Sequence, residues 1–168
     1  MSNIRIFVSH RIDIDSETVD TPVYFPVRCG AVYDEEGNSE IQGDDTGDNI
    51  SKLRMSFCEF TVQYWAWKNV DADYYGLCHY RRYLSFSDKR YKNTVFNMVR
   101  ELKLTPHEKK KYHLDDTKKI EKTVKQYDMI IPVVAKASEM SYNRAEVKTL
   151  REMWESYNGV YFEQGIID

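Results

Sequence analysis

Strand-like and helix-like patterns alternate along the first half of this chain, and that order constrains its fold more than any other feature. The run Ile4–His10 is rich in β-branched and aromatic residues and predicts a buried strand. The run Ser51–Val70 predicts a helix, and a second strand is predicted to start near Asp73. The apolar spacing that predicts the inward face of this helix is formed by Leu53, Phe57, Phe60, Tyr64 and Trp67. Strands that alternate with helices predict an α/β fold with a mainly parallel sheet flanked by helices.

Two further helices are predicted in the middle of the chain. Helical spacing of apolar residues before Pro106 is seen at Val95, Met98, Val99 and Leu102. Because the residue before a proline disfavours the helical conformation, this helix should end ahead of Pro106. Asp116 or Thr117 is a candidate cap for the next helix, in which Ile120 and Val124 should face inward.

The remaining segments are less regular. Residues 11–50 carry few helix signals and predict a loop with short strands, which in a compact domain is usually functional. The run Tyr127–Val134 predicts another strand, edged by Pro132, and Asn143–Asn158 predicts a final amphipathic helix. Because the chain stops without a polar tail, we expect a domain that is incomplete or truncated at its C-terminus.

Length and charge exclude several classes of protein. The 168 residues fit one domain, and a net charge of −3 argues against a chain that binds nucleic acid through its overall charge. The three cysteines have no metal-ligand spacing, and the N-terminus lacks a signal-peptide pattern, so we expect a reducing cytoplasm. No apolar run approaches the roughly 20 residues of a membrane span, so any membrane contact should be peripheral.

Polar side chains follow the predicted strands at their carboxyl ends. These are Ser9, His10 and Arg11 after the first strand, His79, Arg81 and Arg82 after the second, and Lys136 after the third. In open α/β sheets, ligands bind beyond the carboxyl ends of the strands. A lone histidine such as His10 is more often a hydrogen-bonded structural residue than a base or a phosphate contact.

The sequence His79-Tyr80-Arg81-Arg82 leaves two interpretations open. An arginine presents a planar fork that matches phosphate oxygens, which favours a diphosphate site. Alternatively, each arginine pairs with one of the many aspartates and holds a loop. Alternation along a strand places Arg81 and Arg82 on opposite faces, so both reach one ligand only if the strand ends before Arg82.

The segment Gly43–Asn49, GDDTGDN, has its own alternatives. Asp44, Asp45 and Asp48 offer the hard oxygens that Mg²⁺ or Mn²⁺ prefers. Otherwise Asp48 or Asn49 caps the following helix, the interpretation we favour for Asn49. Asp44 or Asp45 can also act as a base or contact sugar hydroxyls. The glycine-rich signatures of phosphate loops, dinucleotide-binding folds and esterases are absent from the sequence.

Several of these segments together resemble the bacterial DUF4422 domain. They are IFVSHR, VRCGAV, GDDTGDNIS, FCEFTVQYWAWKN and YYGLCHYRRYLSF. The resemblance is strongest over residues 4–86 and extends to about residue 132, while residues 133–168 are divergent or truncated. We expect residues 1–168 to form a single domain. It implies a glycosyltransferase domain of the GT-A type that serves capsule or exopolysaccharide synthesis at the inner face of the cell membrane.

The same resemblance implies the partners and the roles of the site residues. The donor would be a nucleotide-diphosphate sugar and the acceptor a glycan or a lipid-linked saccharide. GT-A enzymes commonly place an Asp-x-Asp metal motif where this chain has His79, Arg81 and Arg82. The comparison implies that these side chains replace the metal on the diphosphate, with a Mg²⁺ or Mn²⁺ cofactor as the open alternative. Ser9, His10 and Arg11 would lie near the nucleotide, and the catalytic candidates are Asp44, Asp45 and Asp48. The alternative is a non-catalytic module that binds nucleotide sugars or glycans.

Overall fold

A parallel four-stranded sheet with helices packed against it is the main feature of the described part of the chain. The computed structural model describes residues 2–35, 40–92 and 98–133. The strands are β1 (Ile4–His10), β2 (Tyr24–Arg28), β3 (Gln42–Gly43) and β4 (Tyr74–His79), in the order β3-β2-β1-β4. The helices are α1 (Arg54–Phe57), α2 (Phe60–Asn69), α3 (Pro106–Lys111) and α4 (Thr117–Val124), with 3₁₀ turns at Ala31–Tyr33 and Ser51–Leu53.

The predicted α/β class is confirmed. Strand β1 pairs in parallel with β2 on one side and with β4 on the other, and its bounds are those predicted from the sequence. The helical segment between β3 and β4 supplies the crossover that a parallel pair requires. The chain divides into two compact units, Met1–Asp88 with Lys103–Ile130, and Lys89–Leu102 with Ile131–Asp168. All the strands and helices named above lie in the first unit.

Helix α2 covers the sheet with a face other than the predicted one. Its buried residues are Thr61, Val62, Trp65 and Ala66, and the last three pack on Phe7 and Val27 of the sheet. The predicted inward residues Leu53, Phe57, Phe60 and Trp67 are exposed, and Tyr64 is half-buried. Because α2 carries apolar residues on nearly all sides, spacing alone fits two faces, and the sheet selects the one with Trp65 at its centre. Burying a side chain of this kind contributes about 1.5–3 kcal/mol.

Predictions for the later helices had mixed outcomes. Helix α4 forms as predicted: the Asp116 side chain caps it by accepting from the Lys119 N–H, and Ile120 is fully buried. The N–H of Ser2 donates to Glu121 at 3.0 Å, which ties α4 to the start of β1. The helix predicted before Pro106 is wrong within its described residues 98–102, which are not helical and expose Leu102 fully.

The strand predicted over Tyr127–Val134 is also not found. Residues 127–133 form neither strand nor helix and are exposed, so apolar composition was not enough without a neighbouring strand edge to pair with. Val95, Val134, Lys136 and the helix predicted over Asn143–Asn158 lie outside the described residues. Within residues 2–35, 40–92 and 98–133, no helix is both long and apolar enough to cross a membrane.

Candidate functional site

The carboxyl ends of β1 and β4 bring the two predicted polar clusters together. Ser9 of β1 is in register with His79 of β4, and the Tyr80 N–H donates to the Ser9 carbonyl at 3.1 Å. The residues that follow the two strands therefore share one edge of the sheet, where parallel α/β folds bind ligands. This juxtaposition places Arg11 beside Arg81 and Arg82, and all three influence the same histidine, His79.

The turn after β4 resolves the question of strand alternation. Strand β4 ends at His79, and the backbones of His79 and Arg82 exchange two hydrogen bonds, at 2.8 and 3.3 Å, across a tight turn. Alternation therefore no longer separates Arg81 from Arg82, and both are exposed. The Arg81 guanidinium lies 4.9 Å from the centre of the Tyr80 ring. Within the part of the chain that the structure describes, neither guanidinium pairs with a carboxylate.

His79 is held at both ring nitrogens. Its Nδ1 accepts the backbone N–H of Arg81 at 3.1 Å, and its Nε2 lies 3.4 Å from Oε1 of Glu59. Burial lowers the pKa of His79, the neighbouring arginines lower it further, and Glu59 opposes them. Sequence reasoning missed Glu59, which takes the N-cap position of α2. Glu59 lies inside the predicted helix but outside its predicted apolar face, and nothing in that position indicated a partner twenty residues later.

His10 and Ser9 lie beneath this edge instead of on it. His10 is only 2% exposed, and its two ring nitrogens lie 2.7 Å from the Ser16 hydroxyl and 2.6 Å from the Thr18 hydroxyl. Burial, and then the nearby His79, lower the pKa of His10. The ring therefore anchors the loop after β1, with no nitrogen left for a ligand. Ser9 is likewise buried.

Arg11 is the exposed member of the first cluster. Its guanidinium forms a two-pronged ion pair with the Asp13 carboxylate, and both side chains are about half-exposed. This pairing raises the pKa of Arg11 and lowers the pKa of Asp13. Because this ion pair is exposed and screened by solvent, an anionic ligand can compete with Asp13 for the guanidinium.

Asp44 has a structural role in the fold. The side chain is fully buried, with Oδ1 accepting from the Ala31 N–H and the Ser51 hydroxyl and Oδ2 from the Gly30 N–H and the Thr61 hydroxyl, at 2.6–2.9 Å. Two carboxylate oxygens offer about four acceptor sites, so this set uses all of them. Neither carboxylate oxygen of Asp44 is therefore available for the predicted contact with a metal, a proton or a sugar hydroxyl.

Gly30 makes this arrangement possible. Its φ of +70° is a left-handed conformation that glycine adopts without strain, and it directs the N–H towards Asp44. A Cβ at this position would meet the Cδ atom of Arg54 at 2.1 Å. The backbone N–H groups of Gly30 and Ala31 therefore bind the Asp44 carboxylate together, an arrangement that the glycine in the sequence did not predict by itself.

The other two aspartates point to different places. Asp45 is exposed and is the second residue after β3. Asp48 is tied to the far part of α2, because its N–H and carbonyl bond the Asn69 side chain and its Oδ1 accepts from the Tyr64 hydroxyl. Asn69 is eight residues beyond Thr61, about 12 Å along a helix axis. The structure thus separates Asp48 from Asp44 and from the carboxyl edge.

The predicted helix cap at Asn49 is not found, because Ile50 takes the N-cap position and no side chain caps the turn; Asn49 instead holds the loop just ahead of it. The Asn49 Oδ1 accepts the Ser51 N–H at 3.2 Å, at the start of the 3₁₀ turn Ser51–Leu53. The Asn49 Nδ2 donates to the carbonyls of Asp45 and Gly47. This bonding closes the GDDTGDN loop on itself.

The described residues at this edge offer few oxygen ligands for a divalent cation. Over those residues, no three carboxylate, histidine or cysteine side chains converge. The carboxylate nearest the sheet, Asp44, is fully used, and β4 ends in cationic groups instead of oxygen ligands. What the edge offers chemically is a group of guanidinium donors suited to phosphate or carboxylate oxygens.

Comparisons with known proteins agree with this architecture. The chain is similar to the apo structure of WbbM, a bifunctional glycosyltransferase, with a TM-score of 0.73 and 27% sequence identity. The match covers 94% of this chain but 30% of that protein, so the chain corresponds to a part of WbbM. No curated protein matches the chain. The fold is therefore that of a glycosyltransferase-like domain. A family model described as a domain of unknown function, DUF4422, matches residues 5–159, and because this is most of its length the chain belongs to the DUF4422 family.

Proposed function

We propose that this chain is a glycosyltransferase domain that binds a nucleotide-diphosphate sugar and transfers the sugar to a glycan or lipid-linked saccharide. The observation that carries the proposal is a pair of exposed guanidinium groups, Arg81 and Arg82, beside Arg11 at the carboxyl edge of the sheet; neither of the two pairs with a carboxylate among the described residues. Similarity to a glycosyltransferase at 27% identity supports the reaction class. The setting we propose is capsule or exopolysaccharide synthesis, with peripheral contact at the inner face of the cell membrane.

In this proposal the arginines bind the donor diphosphate. Transfer breaks the bond between the anomeric carbon and a phosphate oxygen and forms a bond from that carbon to an acceptor oxygen. Negative charge grows on the leaving nucleoside diphosphate, and guanidinium donors fixed in advance around those oxygens stabilise it. Arg81 and Arg82 are the main contacts, and Arg11 joins them when the ligand displaces Asp13.

The remaining predicted site residues take lesser roles in the proposal. Ser9 and His10 act from below the surface, by fixing the strand end and loop that carry Arg11. The acceptor hydroxyl must lose a proton, and of the three predicted aspartates Asp45 is the one that is exposed at the carboxyl edge and not already tied to a helix. We propose Asp45 as the base or as a contact for sugar hydroxyls.

The donor site can be tested by calorimetric titration with a panel of UDP- and GDP-sugars, with and without Mn²⁺. We expect binding without metal, and a loss of about tenfold to a hundredfold for Arg81→Ala and for Arg82→Ala, since a hydrogen bond to a charged group is worth about 1.5–3 kcal/mol. Arg5→Ala is the matched control, because Arg5 lies near the opposite end of β1, where its guanidinium donates to the Pro22 carbonyl.

Three outcomes would contradict parts of this proposal. Failure to bind any donor refutes the nucleotide-sugar site. Binding that strictly requires Mn²⁺ refutes the substitution of arginines for a metal. Donor binding without sugar transfer to any acceptor supports the alternative, a non-catalytic nucleotide-sugar module; the coverage of only 30% of a bifunctional relative is the observation that keeps this alternative in view.

A further inference from the structure

We propose that Glu59 and His79 are positioning residues, with Glu59 holding the imidazole and the imidazole holding the turn that presents Arg81 and Arg82. The inference rests on the function proposed above, since it concerns how the anion-binding arginines are held in place. It assigns a role to Glu59 and moves His79 from ligand contact to support.

The hydrogen bonds of His79 define its protonation pattern. The Arg81 N–H is a donor, so the Nδ1 atom that it contacts at 3.1 Å must carry a lone pair. In the neutral ring the proton is then on Nε2, which lies 3.4 Å from the Glu59 carboxylate. Both nitrogens are engaged within the protein, and the ring has none left for a phosphate oxygen.

The turn itself is held at its base and at its middle. The two backbone hydrogen bonds between His79 and Arg82 close it, and the Tyr80 N–H anchors it to Ser9 of β1. The bond from the Arg81 N–H to the imidazole fixes the one peptide that the backbone pairing leaves out. Because Arg81 and Arg82 are adjacent, the direction of that peptide determines whether both guanidinium groups project from the same side.

Glu59 links this turn to a rigid element. Its carbonyl accepts the Val62 N–H at 3.2 Å at the start of α2, and the neighbouring Thr61 is bonded to the buried Asp44. Glu59 places a negative charge beside His79, which otherwise faces the positive charges of Arg11, Arg81 and Arg82. Through Glu59 the imidazole ring is attached to α2, the helix packed on the sheet, as well as to its own loop.

Substitution of His79 separates positioning from ligand contact. The probes are UDP and GDP, titrated by calorimetry. We expect His79→Ala to weaken binding about tenfold, the factor equivalent to losing one hydrogen bond that orders the arginines. His79→Asn should recover binding to within about threefold of the unmodified protein, because its Oδ1 can accept the Arg81 N–H. Thermal unfolding of each variant confirms that the domain is folded.

The result that would overturn the positioning role of His79 is equal weakening by alanine and asparagine, since a ring that touched phosphate would not be replaced by asparagine. Undiminished binding by His79→Ala would also overturn it.

Glu59 is tested through a double-mutant cycle with His79. We expect Glu59→Ala to weaken binding about threefold to tenfold, and the Glu59→Ala and His79→Ala pair to bind no more weakly than His79→Ala alone, because Glu59 acts only through the ring. Glu40→Ala, an exposed charge removed ahead of β3, is the control. Additive losses would show that Glu59 meets the ligand directly and would refute the relay.

The same measurements distinguish the failure of this inference from failure of the donor site. Unchanged UDP and GDP binding by Arg81→Ala and Arg82→Ala refutes the site itself. Weakened binding by both arginine variants, with no effect of His79→Ala, refutes only the positioning role.

Discussion

Two charged centres lie at the carboxyl edge of the same sheet and use their hydrogen-bonding capacity in opposite ways. Asp44 is buried and accepts four hydrogen bonds from two backbone and two hydroxyl donors. Arg81 and Arg82 are exposed and, among the described residues, pair with no carboxylate. A charge whose bonding capacity is filled inside the protein stabilises the fold, whereas one left open to solvent is available to a ligand.

The contrast also sorts the other predicted residues. His10, with both nitrogens on loop hydroxyls, belongs with Asp44, and so does His79, whose ring is held between Glu59 and the Arg81 backbone. Arg11 lies between the two classes, because its ion pair with Asp13 is exposed and replaceable. Residue type alone did not separate these groups.

The largest expected effect is on stability, at Asp44. Asp44→Asn replaces one acceptor oxygen by a donor and leaves up to two buried donors unpaired, at about 1–3 kcal/mol each. We expect the free energy of unfolding, measured in urea, to fall by about 3 kcal/mol. Asp45→Asn is the matched control and should change it by less than about 0.5 kcal/mol. Equal losses of unfolding free energy in Asp44→Asn and Asp45→Asn would contradict a structural role for the buried carboxylate.

At the arginines we expect the reverse pattern, with binding lost and stability kept. Arg81→Ala and Arg82→Ala should each change the free energy of unfolding by less than about 0.5 kcal/mol, as exposed substitutions usually do. UDP affinity should fall with added salt in the unmodified protein and depend less on salt in a variant that carries both Arg81→Ala and Arg82→Ala, because fewer charges face the ligand. Unfolding of the domain by Arg81→Ala would mean that this side chain is structural.

A smaller effect is expected from acidification. Burial holds the pKa values of His10 and His79 below the usual value of about 6.5. Below about pH 6.5 the two histidines bind protons more readily in the unfolded chain than in the folded protein. Their contribution to the free energy of unfolding is therefore complete above about pH 6.5 and is lost as the pH falls below that value. The slope is at most about 1.4 kcal/mol per pH unit for each histidine.

Urea unfolding at several pH values between 7.5 and 5 measures this slope. His10→Asn should show a shallower decline than the unmodified protein, because one of the two titrating groups is gone. A stability that does not change over this range would contradict the assignment of His10 to the buried, neutral class.

The smallest effect is expected at Asp48. Asp48→Asn keeps an oxygen for the Tyr64 hydroxyl and leaves the backbone bonds with Asn69 unchanged. We expect a change in unfolding free energy below about 0.5 kcal/mol and no change in donor affinity, measured beside Asp45→Asn. Loss of sugar transfer in the Asp48 variant alone would restore it as a catalytic candidate and move the proposed base away from Asp45.

The position of the candidate site followed from the sequence to a large extent. The bounds of β1 and the cap of α4 were predicted correctly, because both depend on neighbours close in the chain. Placing His79, Arg81 and Arg82 after a strand was enough to predict that they meet the residues following β1, since the carboxyl ends of parallel strands share one edge of the sheet.

Tertiary structure decided which groups at that edge are free to act. The inward face of α2, the four donors around Asp44 and the pairing of Glu59 with His79 all join residues from separate elements, so no local pattern encodes them. The strand expected at Tyr127 fails for the same reason, because a strand requires an edge to pair with as well as suitable residues. The sequence determined which charges reach the carboxyl edge. Only packing determined which of them are satisfied within the protein, because hydrogen-bond partners are chosen by distance in space and not by separation along the chain.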